Sequence, residues 1–224
     1  MKGYVSKLEQ MEKQFDFTII MAVYNVAPFL REAVMRVISQ DIGFEENVQL
    51  ILVDDGSSDA SGRICDTFAE LYPENILAIH QENAGVSAAR NAGLPHIKGK
   101  YVNFLDADDK LSSNTLSKVR EFFKKHGDKV DLVSIPMEFF DARTGGHPLN
   151  AKFSHGSRVI DLQKEPDAVQ MSMSVSFVKA EVLANRRFDE ELRYSEDAKM
   201  CIDIILDKVA FGVVSEGKYP MSFS

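Results

Sequence analysis

Tryptophan is absent from this chain of 224 residues, and cysteine occurs only twice, at Cys65 and Cys201. Both cysteines lie in apolar, helix-like segments without zinc-type spacing. We therefore expect two buried thiols in a reducing compartment, with no disulfide and no zinc site. No apolar run approaches the roughly 20 residues of a membrane span, and the N-terminus lacks the apolar core of a signal peptide. These absences predict a cytoplasmic protein without an integral membrane span. A peripheral position at the inner face of the membrane is left open.

Positive charge is also in short supply. The chain has 26 Lys and Arg against 34 Asp and Glu, a formal net charge of −8 at pH 7. Binding to a phosphate backbone needs clustered Lys and Arg, so this balance argues against nucleic acid as a partner. The Gly-x-Gly-x-x-Gly motif of dinucleotide-binding oxidoreductases is missing after the first predicted strand, where Tyr24-Asn25-Val26-Ala27-Pro28 stands instead.

Apolar runs typical of buried strands alternate with helical patterns along the first 135 residues. The predicted strands cover residues 17–23, 49–53, 76–79, 101–105 and 130–135. The predicted helices cover residues 28–39, 61–71 and 86–94, and a further one begins near residue 113. Continuous apolar strands that alternate with helices imply a parallel sheet covered on both faces. Beyond Pro136 the pattern changes to a long loop or hairpin over residues 139–156, followed by shorter elements.

Two of the predicted strands run directly into carboxylates. The segment Phe104-Leu105-Asp106-Ala107-Asp108-Asp109 ends in three acids, and Ile51-Leu52-Val53-Asp54-Asp55-Gly56-Ser57 ends in two acids and a turn. Alternate carboxylates at a strand end can converge on one hard cation, and a metal held in this way can grip a diphosphate. Ligands of parallel sheets bind at the carboxyl ends of the strands. We therefore expect these acids to share one site.

Two further segments belong to the same pattern. Asn83 to Gly93 is rich in small residues, which let a helix approach a sheet or a ligand closely, and it carries the fixed positive charge of Arg90. Tyr194-Ser195-Glu196-Asp197 is a polar break before an apolar, helix-like stretch. Each segment alone is typical of a turn or a helix cap. Their order and spacing along the chain indicate a functional set.

Together with Val23-Tyr24-Asn25, these segments resemble the inverting, nucleotide-sugar-dependent glycosyltransferases of family 2, from about Phe17 to about Phe211. The resemblance implies an α/β protein with the GT-A fold. That fold has a Rossmann-like, mostly parallel central sheet, helices on both faces and a smaller acceptor-side subregion. One departure is Ala22, where the family usually has proline. A backbone contact from Ala22 to the base survives this change.

The resemblance implies roles for the acids and for their neighbours. Asp108 matches the last acid of the family's Asp-x-Asp motif and is the expected ligand of a divalent cation, Mn²⁺ or Mg²⁺. Asp106, the first acid, is expected to hold the ribose or to help with the metal, and Ala107 lies between them in the donor site. Asp197 is the expected general base for the acceptor hydroxyl. Glu196 stands beside it, and such a pair can raise one pKa or share a hydrogen-bonded arrangement.

Further residues are expected around the nucleotide. Asp55 or Asp54 would accept a hydrogen bond from the N3–H of a uracil, and Tyr24 offers a ring for stacking. Arg90 is expected to pair with that aspartate or to reach the base edge, with a purely structural ion pair as the alternative. Asn83 lines the path of the sugar diphosphate or serves as a turn residue.

The function implied by the resemblance is transfer of a hexosyl or N-acetylhexosaminyl group from a UDP-sugar to a hydroxyl acceptor with inversion. The setting would be bacterial cell-surface polysaccharide or teichoic-acid synthesis, with a saccharide, a polyol phosphate or a lipid-linked acceptor. Without tryptophan the chain lacks the Gln-x-x-Arg-Trp element of processive synthases, so it is more similar to single-transfer enzymes. Two rival hypotheses are a nucleotide-sugar-binding module without turnover and a nucleotidyltransferase.

We expect one GT-A domain with two halves. Residues 17–135 would form the nucleotide-sugar-binding half, and residues 136–224 the acceptor-side half with the base. Residues 1–16 would form a helical extension, because Val5, Leu8, Met11 and Phe15 align roughly on one helical face. Lys218-Tyr219-Pro220 looks like the start of a further segment, which is compatible with a catalytic fragment of a longer protein.

Overall fold

The computed structural model describes residues 14–140, 144–207 and 210–221. The helices are α1 (Ala27–Ile38), α2 (Phe44–Asn47), α3 (Ser61–Leu71), α4 (Val86–Gly93), α5 (Thr115–His126), α6 (Ala180–Leu183) and α7 (Glu196–Leu206). The strands are β1 (Phe15–Val23), β2 (Val48–Asp54), β3 (Ile76–His80), β4 (Gly99–Asp106), β5 (Leu132–Ser134), β6 (Met137–Phe139), β7 (Gly145–Gly146), β8 (Arg158–Ile160), β9 (Ser176–Lys179), β10 (Phe211–Val213) and β11 (Tyr219–Met221). None of these helices combines the length and the apolar character that a membrane span requires.

A large sheet of eight strands forms the centre of the fold, in the order β3-β2-β1-β4-β9-β5-β10-β8. Strands β1 to β4 pair in parallel, as the alternation of apolar strands and helices predicts. Strand β9 lies antiparallel between β4 and β5 and separates the first four strands from the rest. The prediction of an α/β fold with a mostly parallel central sheet is confirmed.

Helices cover both faces of this sheet. One apolar cluster joins Ile19 and Met21 of β1 to residues of α1, α3 and α5. The other joins Ile20, which points to the opposite face, to residues of α4, α6 and α7. Successive strand residues alternate between faces, so a continuous apolar run supplies both clusters at once. The parallel strands are apolar on both faces, so each face of the sheet has to be covered by helices.

The carboxyl ends of the first four strands meet at one edge of the sheet. In the pairing register, Ala22 lies beside Asp106, Val23 beside Asp54, and Asp54 beside His80. The strands are therefore aligned so that their last residues are neighbours. This register brings the two carboxylate motifs together across β1, although about 50 residues separate them in the chain.

A second, smaller sheet has the order β11-β6-β7. Its strands β6 and β7 pair antiparallel, so the region predicted as a long loop or hairpin begins as a hairpin. Strand β11 pairs in parallel with β6, and the backbone N–H of Lys110 donates to the carbonyl of Pro220 at 2.9 Å. The segment after β4 is thereby joined to the end of the described chain.

The predicted N-terminal helix needs one correction. Residues 1–13 of that segment lie outside the described residues, but Phe15 and Asp16 are the first residues of β1. Phe15 is buried and pairs with Gly99 of β4. Phe15, Phe17 and Ile19 follow the period of two that is typical of a strand. Burial of these side chains in the sheet therefore makes residues 15 and 16 part of a strand, although their spacing also fits a helix.

Candidate active site

A cleft of about 420 Å³ opens at the carboxyl ends of β1, β2 and β4. Six of the predicted site residues line it: Ala22, Tyr24, Asp55, Asn83, Ala107 and Asp108. The ring of Tyr24 is half exposed, so one of its faces is available to a ligand. The loop that leads into α4 forms another wall. The cleft thus collects residues from four separate sequence motifs.

Asp55 holds the loop between β3 and α4. Its Oδ1 accepts from the backbone N–H of Ala84 at 2.9 Å and from the side-chain amide of Gln81 at 2.7 Å. Its Oδ2 accepts from the N–H of Gly85 at 2.8 Å. Gly85 has a φ of 94°, a conformation that favours glycine. A carboxylate offers about four acceptor positions, so one position of Asp55 remains for a donor in the cleft.

Asp54 faces a different neighbourhood. Its Oδ1 accepts from the backbone N–H of Ser57 at 3.1 Å, and its Oδ2 lies 2.9 Å from His80 Nδ1. The other ring nitrogen of His80 lies 2.9 Å from Asp66 Oδ1. These bonds to Asp54 and Asp66 raise the pKa of His80. Of the two aspartates proposed to bind the uracil base, Asp55 is therefore the one that lines the cleft.

Asn25 fixes the backbone next to Tyr24. It adopts a φ of 52°, which is rare for residues other than glycine but tolerated by asparagine. Its Oδ1 accepts from the backbone N–H groups of Ser58 at 2.8 Å and Asp59 at 3.3 Å. Its own N–H donates to Ser57 Oγ at 3.0 Å. The loops after β1 and β2 are thus bound to each other at the rim of the cleft.

Arg90 lies at the centre of a cluster of carboxylates. Its Nη1 donates to Glu196 Oε1 at 2.9 Å and to Asp197 Oδ1 at 2.7 Å, and its Nη2 donates to Asp106 Oδ1 at 3.0 Å. Arg90 is 4% exposed, and its guanidinium lies over the ring of Phe188. The network therefore joins the end of β4 to the first turn of α7.

This arrangement corrects the predicted partner of Arg90. Within the described structure Arg90 pairs with the acids of β4 and α7, not with Asp54 or Asp55. The buried face of α4 carries Ser87, Ala89 and Gly93, whose small size lets the helix lie close to the sheet. A Cβ at Gly93 would lie 2.8 Å from Ile20. The close approach directs the long Arg90 side chain along the sheet towards β4 and α7.

Charge and burial act on Arg90 and Asp197 in opposite ways. Burial alone would lower the pKa of Arg90, but the charges of Asp197, Asp106 and Glu196 outweigh it and raise that pKa. Burial is the main influence on the pKa of Asp197 and raises it. Arg90 lowers that pKa, while Asp106 and Glu196 raise it. The net result is an aspartate with a raised pKa, which makes its ionised form a stronger base.

Asp197 is also held from a third side. Its Oδ2 accepts from the backbone N–H of Met173 at 3.1 Å and from Ser172 Oγ at 3.3 Å. Ser195, which precedes α7, has a φ of 63° and turns the chain so that both acids lie in the first helical turn. Three donors contact the Asp197 carboxylate, which leaves one acceptor position for a further proton donor.

The two acids of the Asp-x-Asp motif have different surroundings. Both oxygens of Asp106 accept from the protein: Oδ1 from Arg90, and Oδ2 from Ser174 Oγ at 2.8 Å and from the Tyr219 hydroxyl at 3.4 Å. Three donors leave Asp106 one acceptor position, so its expected help with the metal stays a prediction. Asp108 borders the cleft, where a cation bound to a diphosphate would lie. Among the described residues, no group of three or more His, Cys, Asp or Glu side chains is placed to hold a metal. One carboxylate completed by phosphate oxygens and water is a common arrangement for Mg²⁺.

Several residues of this site were missed at the sequence level. Ser172, Met173 and Ser174 contact Asp197 or Asp106 from a segment with no recognised motif. Its signal is a serine at every second position up to Ser176, typical of an extended segment with one polar face. Tyr219 reaches Asp106 across 113 residues, and no local pattern indicates it.

The comparisons with known proteins agree with this geometry. Residues 18–183 match the family model described as Glycosyl transferase family 2. The chain is 46% identical over 210 residues to the minor teichoic acid biosynthesis protein GgaB of Bacillus subtilis (strain 168). That alignment covers 93% of this chain and 23% of GgaB, so the chain spans less than a quarter of that relative's length.

Two solved structures share the fold. The crystal structure of S. aureus TarS 1-349 in complex with UDP matches with a TM-score of 0.80 at 23% identity, covering 94% of this chain and 61% of that one. The mannosyltransferase PcManGT from Pyrobaculum calidifontis, in complex with GDP-Man and Mn²⁺, matches with a TM-score of 0.67 at 17% identity, covering 93% and 57%. These likenesses confirm the predicted GT-A fold. With a family model that matches residues 18–183, this chain belongs to glycosyl transferase family 2.

Proposed function

We propose that this chain transfers a sugar from a UDP-sugar to a hydroxyl acceptor, with inversion at the anomeric carbon, in the synthesis of a cell-surface polysaccharide. One observation carries the proposal. Arg90 joins Asp197 to Asp106, at the end of the strand whose next residues, Ala107 and Asp108, line the cleft. In this proposal the basic carboxylate and the cation-binding carboxylate belong to one continuous site. The TarS complex with UDP and the teichoic-acid name of GgaB support the donor and the setting.

The uracil would bind between Tyr24 and Asp55. Asp55 is fixed by three donors and retains an acceptor position, which suits the N3–H of uracil. A preorganised acceptor loses little freedom on binding, so its hydrogen bond contributes to affinity and to base choice. The half-exposed ring of Tyr24 offers a stacking surface on the same cleft. Asn83 and the backbone of Ala22 complete this wall.

Asp108 would hold the divalent cation, Mn²⁺ or Mg²⁺, together with oxygens of the diphosphate. When bound, such a cation stabilises the negative charge that develops on the diphosphate leaving group. Asp106 has another task in this scheme. Its bonds to Arg90 and Ser174 hold the end of β4 in place and so orient the turn that carries Asp108.

Asp197 would act as the general base. The acceptor oxygen forms a bond to the anomeric carbon while the bond from that carbon to the phosphate oxygen breaks, and its electron pair leaves with UDP. The proton of the acceptor hydroxyl passes to Asp197, whose raised pKa suits this transfer. Attack from the face opposite the diphosphate gives inversion.

Arg90 would keep Asp197 ionised and correctly directed. One guanidinium faces three carboxylates, so the cluster keeps a net negative charge even with Arg90 charged. Without the positive charge of Arg90, repulsion between the three carboxylates would favour protonation of one of them. Glu196 shares Nη1 with Asp197 and would position Arg90 from the other side.

The acceptor, the cellular location of the protein and the separate roles of the two halves of the chain stay proposals. A saccharide, a polyol phosphate or a lipid-linked hydroxyl would each satisfy the chemistry. Residues 17–135 would bind the donor, and residues 136–224 would face the acceptor. The cytoplasmic location expected from the sequence also stays a prediction.

Thermal unfolding tests the donor site directly. A ligand present at one hundred times its Kd stabilises a fold by about 2.7 kcal/mol. For a chain of this size that is a rise in Tm of roughly 5–10 °C. We expect UDP with Mn²⁺ to reach this range, and UDP with excess chelator to give a clearly smaller rise. Asp108→Ala should remove the metal-dependent part.

Asp128→Ala is the matched control for that experiment. Asp128 is exposed and precedes β5, at the end of the sheet opposite the cleft. Its loss should leave both Tm shifts unchanged. Equal stabilisation by UDP with Mn²⁺ and with chelator would contradict the metal role, and stabilisation by neither would contradict the donor site.

A further inference from the structure

Tyr219 brings a buried hydroxyl into the acidic end of β4. The residue lies on β11 and is 1% exposed, in the apolar cluster under one face of the sheet. Its hydroxyl oxygen lies 3.4 Å from the backbone nitrogen of Asp106 and 3.4 Å from Asp106 Oδ2. It also hydrogen-bonds the buried side chain of Asp109. One phenol thus contacts both ends of the turn Asp106 to Asp109.

The backbone around Tyr219 is joined to the same segment. The N–H of Lys110 donates to the carbonyl of Pro220 at 2.9 Å, and the N–H of Ser112 donates to the carbonyl of Lys218 at 3.2 Å. Strand β11 itself is anchored by the N–H of Tyr219, which donates to the carbonyl of Pro136 at 2.9 Å. The small sheet therefore supports the segment that carries Asp108, and the hydroxyl is the contact nearest to the acids.

A count of donors and acceptors shows what the hydroxyl does. A phenol has one proton to donate and can accept at its oxygen. The oxygen accepts from the Asp106 N–H, and its proton is available to the carboxylate of Asp106 or Asp109. Tyr219 itself is 1% exposed, so removing its hydroxyl takes a hydrogen-bond partner from the buried side of this turn. The turn would then relax towards another geometry.

We propose that Tyr219 is a positioning residue of the donor site. Its hydroxyl fixes the turn from Asp106 to Asp109 and thereby the direction in which Asp108 faces the cleft. This inference rests on the proposed function, because it presumes that Asp108 serves the donor's cation. It gives the far end of the described chain a part in donor binding.

The test compares Tyr219→Phe with Tyr101→Phe. Each variant removes a single phenol oxygen. Tyr101 lies on β4, the same strand that ends at Asp106, but its hydroxyl has no hydrogen-bond partner among the described residues. Calorimetric titration with UDP in the presence of Mn²⁺ should show Kd raised about three- to tenfold in Tyr219→Phe. It should be unchanged in Tyr101→Phe. With UDP and chelator, all three proteins should bind alike.

A double variant separates positioning from general loosening. Ser174 Oγ donates to the same Asp106 Oδ2, at 2.8 Å. If both hydroxyls act through Asp106, the effects of Ser174→Ala and Tyr219→Phe on Kd should not multiply. The unfolding temperature without ligand and the far-UV spectrum establish that each variant is folded.

The possible outcomes are distinct. A parent protein that binds UDP without any dependence on Mn²⁺ would overturn the metal role in the proposed function, and this inference with it. A parent with Mn²⁺-dependent binding that Tyr219→Phe retains would overturn the role of Tyr219 alone. An equal loss of affinity with Mn²⁺ and with chelator would also overturn it, because that result indicates a general structural effect.

Discussion

Replacing Arg90 by glutamine should shift the pH dependence of transfer in a known direction. Arg90 lowers the pKa of Asp197, whereas burial, Asp106 and Glu196 raise it. Removing Arg90 removes the lowering influence, so the pKa of Asp197 should rise further. A general base must be ionised before the reaction, so activity increases as pH rises through its pKa. The acidic limb of kcat/KM should therefore move to higher pH.

The size of that shift follows from the geometry. Arg90 Nη1 lies 2.7 Å from Asp197 Oδ1, and its side chain is 5% exposed, so water screens the pair little. A cation this close to an aspartate typically lowers its pKa by about 1–3 units. We expect the limb to move by at least about one unit, equivalent to about 1.4 kcal/mol. Arg90→Lys keeps the charge but loses the planar fork that reaches three carboxylates. The acidic limb of Arg90→Lys should therefore move less than that of Arg90→Gln, while the rate of Arg90→Lys on the pH plateau falls.

The assay measures UDP release from whichever UDP-sugar stabilises the parent most, between about pH 4 and pH 8, with kcat/KM as the readout because it reports pKa values of the free enzyme. Removing one partner of a buried ion pair can cost about 3–5 kcal/mol of stability. Rates should therefore be compared at low temperature, after circular dichroism has shown that the variants are folded. A limb that stays in place in Arg90→Gln, or that moves to lower pH, would refute the reasoning.

Two other perturbations test separate parts of the site. Asp55→Asn places an amide donor opposite the uracil N3–H. It should weaken UDP about tenfold or more but leave a sugar-phosphate fragment nearly unaffected; a parent that binds GDP as tightly as UDP would contradict the assignment. His80→Gln should lower the unfolding temperature most below pH 6.5, the ordinary pKa of histidine. The raised pKa of His80 means that its protonated form stabilises the fold. This contribution is lost as pH rises through the folded-state pKa. An effect independent of pH between about 5.5 and 8.5 would contradict it.

The convergence of acids at one edge could be predicted because it follows from local rules. Asp54 and Asp106 are the last residues of the parallel strands β2 and β4, and parallel strands end on the same side of a sheet. The placement of Asp55, Ala107 and Asp108 around one cleft needs little more than this rule. Burial of the two cysteines follows in the same way from the apolar period of their helices, and both thiols are free and buried.

The partners of Arg90 could not be predicted in this way. Its contacts depend on the rotation of α4 about its axis and on how closely its small residues approach the sheet, and the sequence period does not determine either. Tyr219 and Ser174 reach Asp106 from sequence separations of 113 and 68 residues. The insertion of β9 between β4 and β5 is likewise a long-range pairing, for which short strands carry a weak signal.

The central claim is that Asp197 is the general base of a sugar transfer, and Asp197→Asn tests it most directly. The substitution is nearly isosteric and removes the proton acceptor, so transfer should fall by at least about 10²-fold. Affinity for UDP with Mn²⁺ should stay within about twofold, because the residues proposed to bind the donor lie on the other side of Arg90. Asp203→Asn is the matched control: Asp203 lies on the same helix, has a half-exposed side chain and pairs with Lys199, so its loss should leave turnover unchanged. An Asp197→Asn protein that transfers sugar at a near-parental rate would contradict the claim.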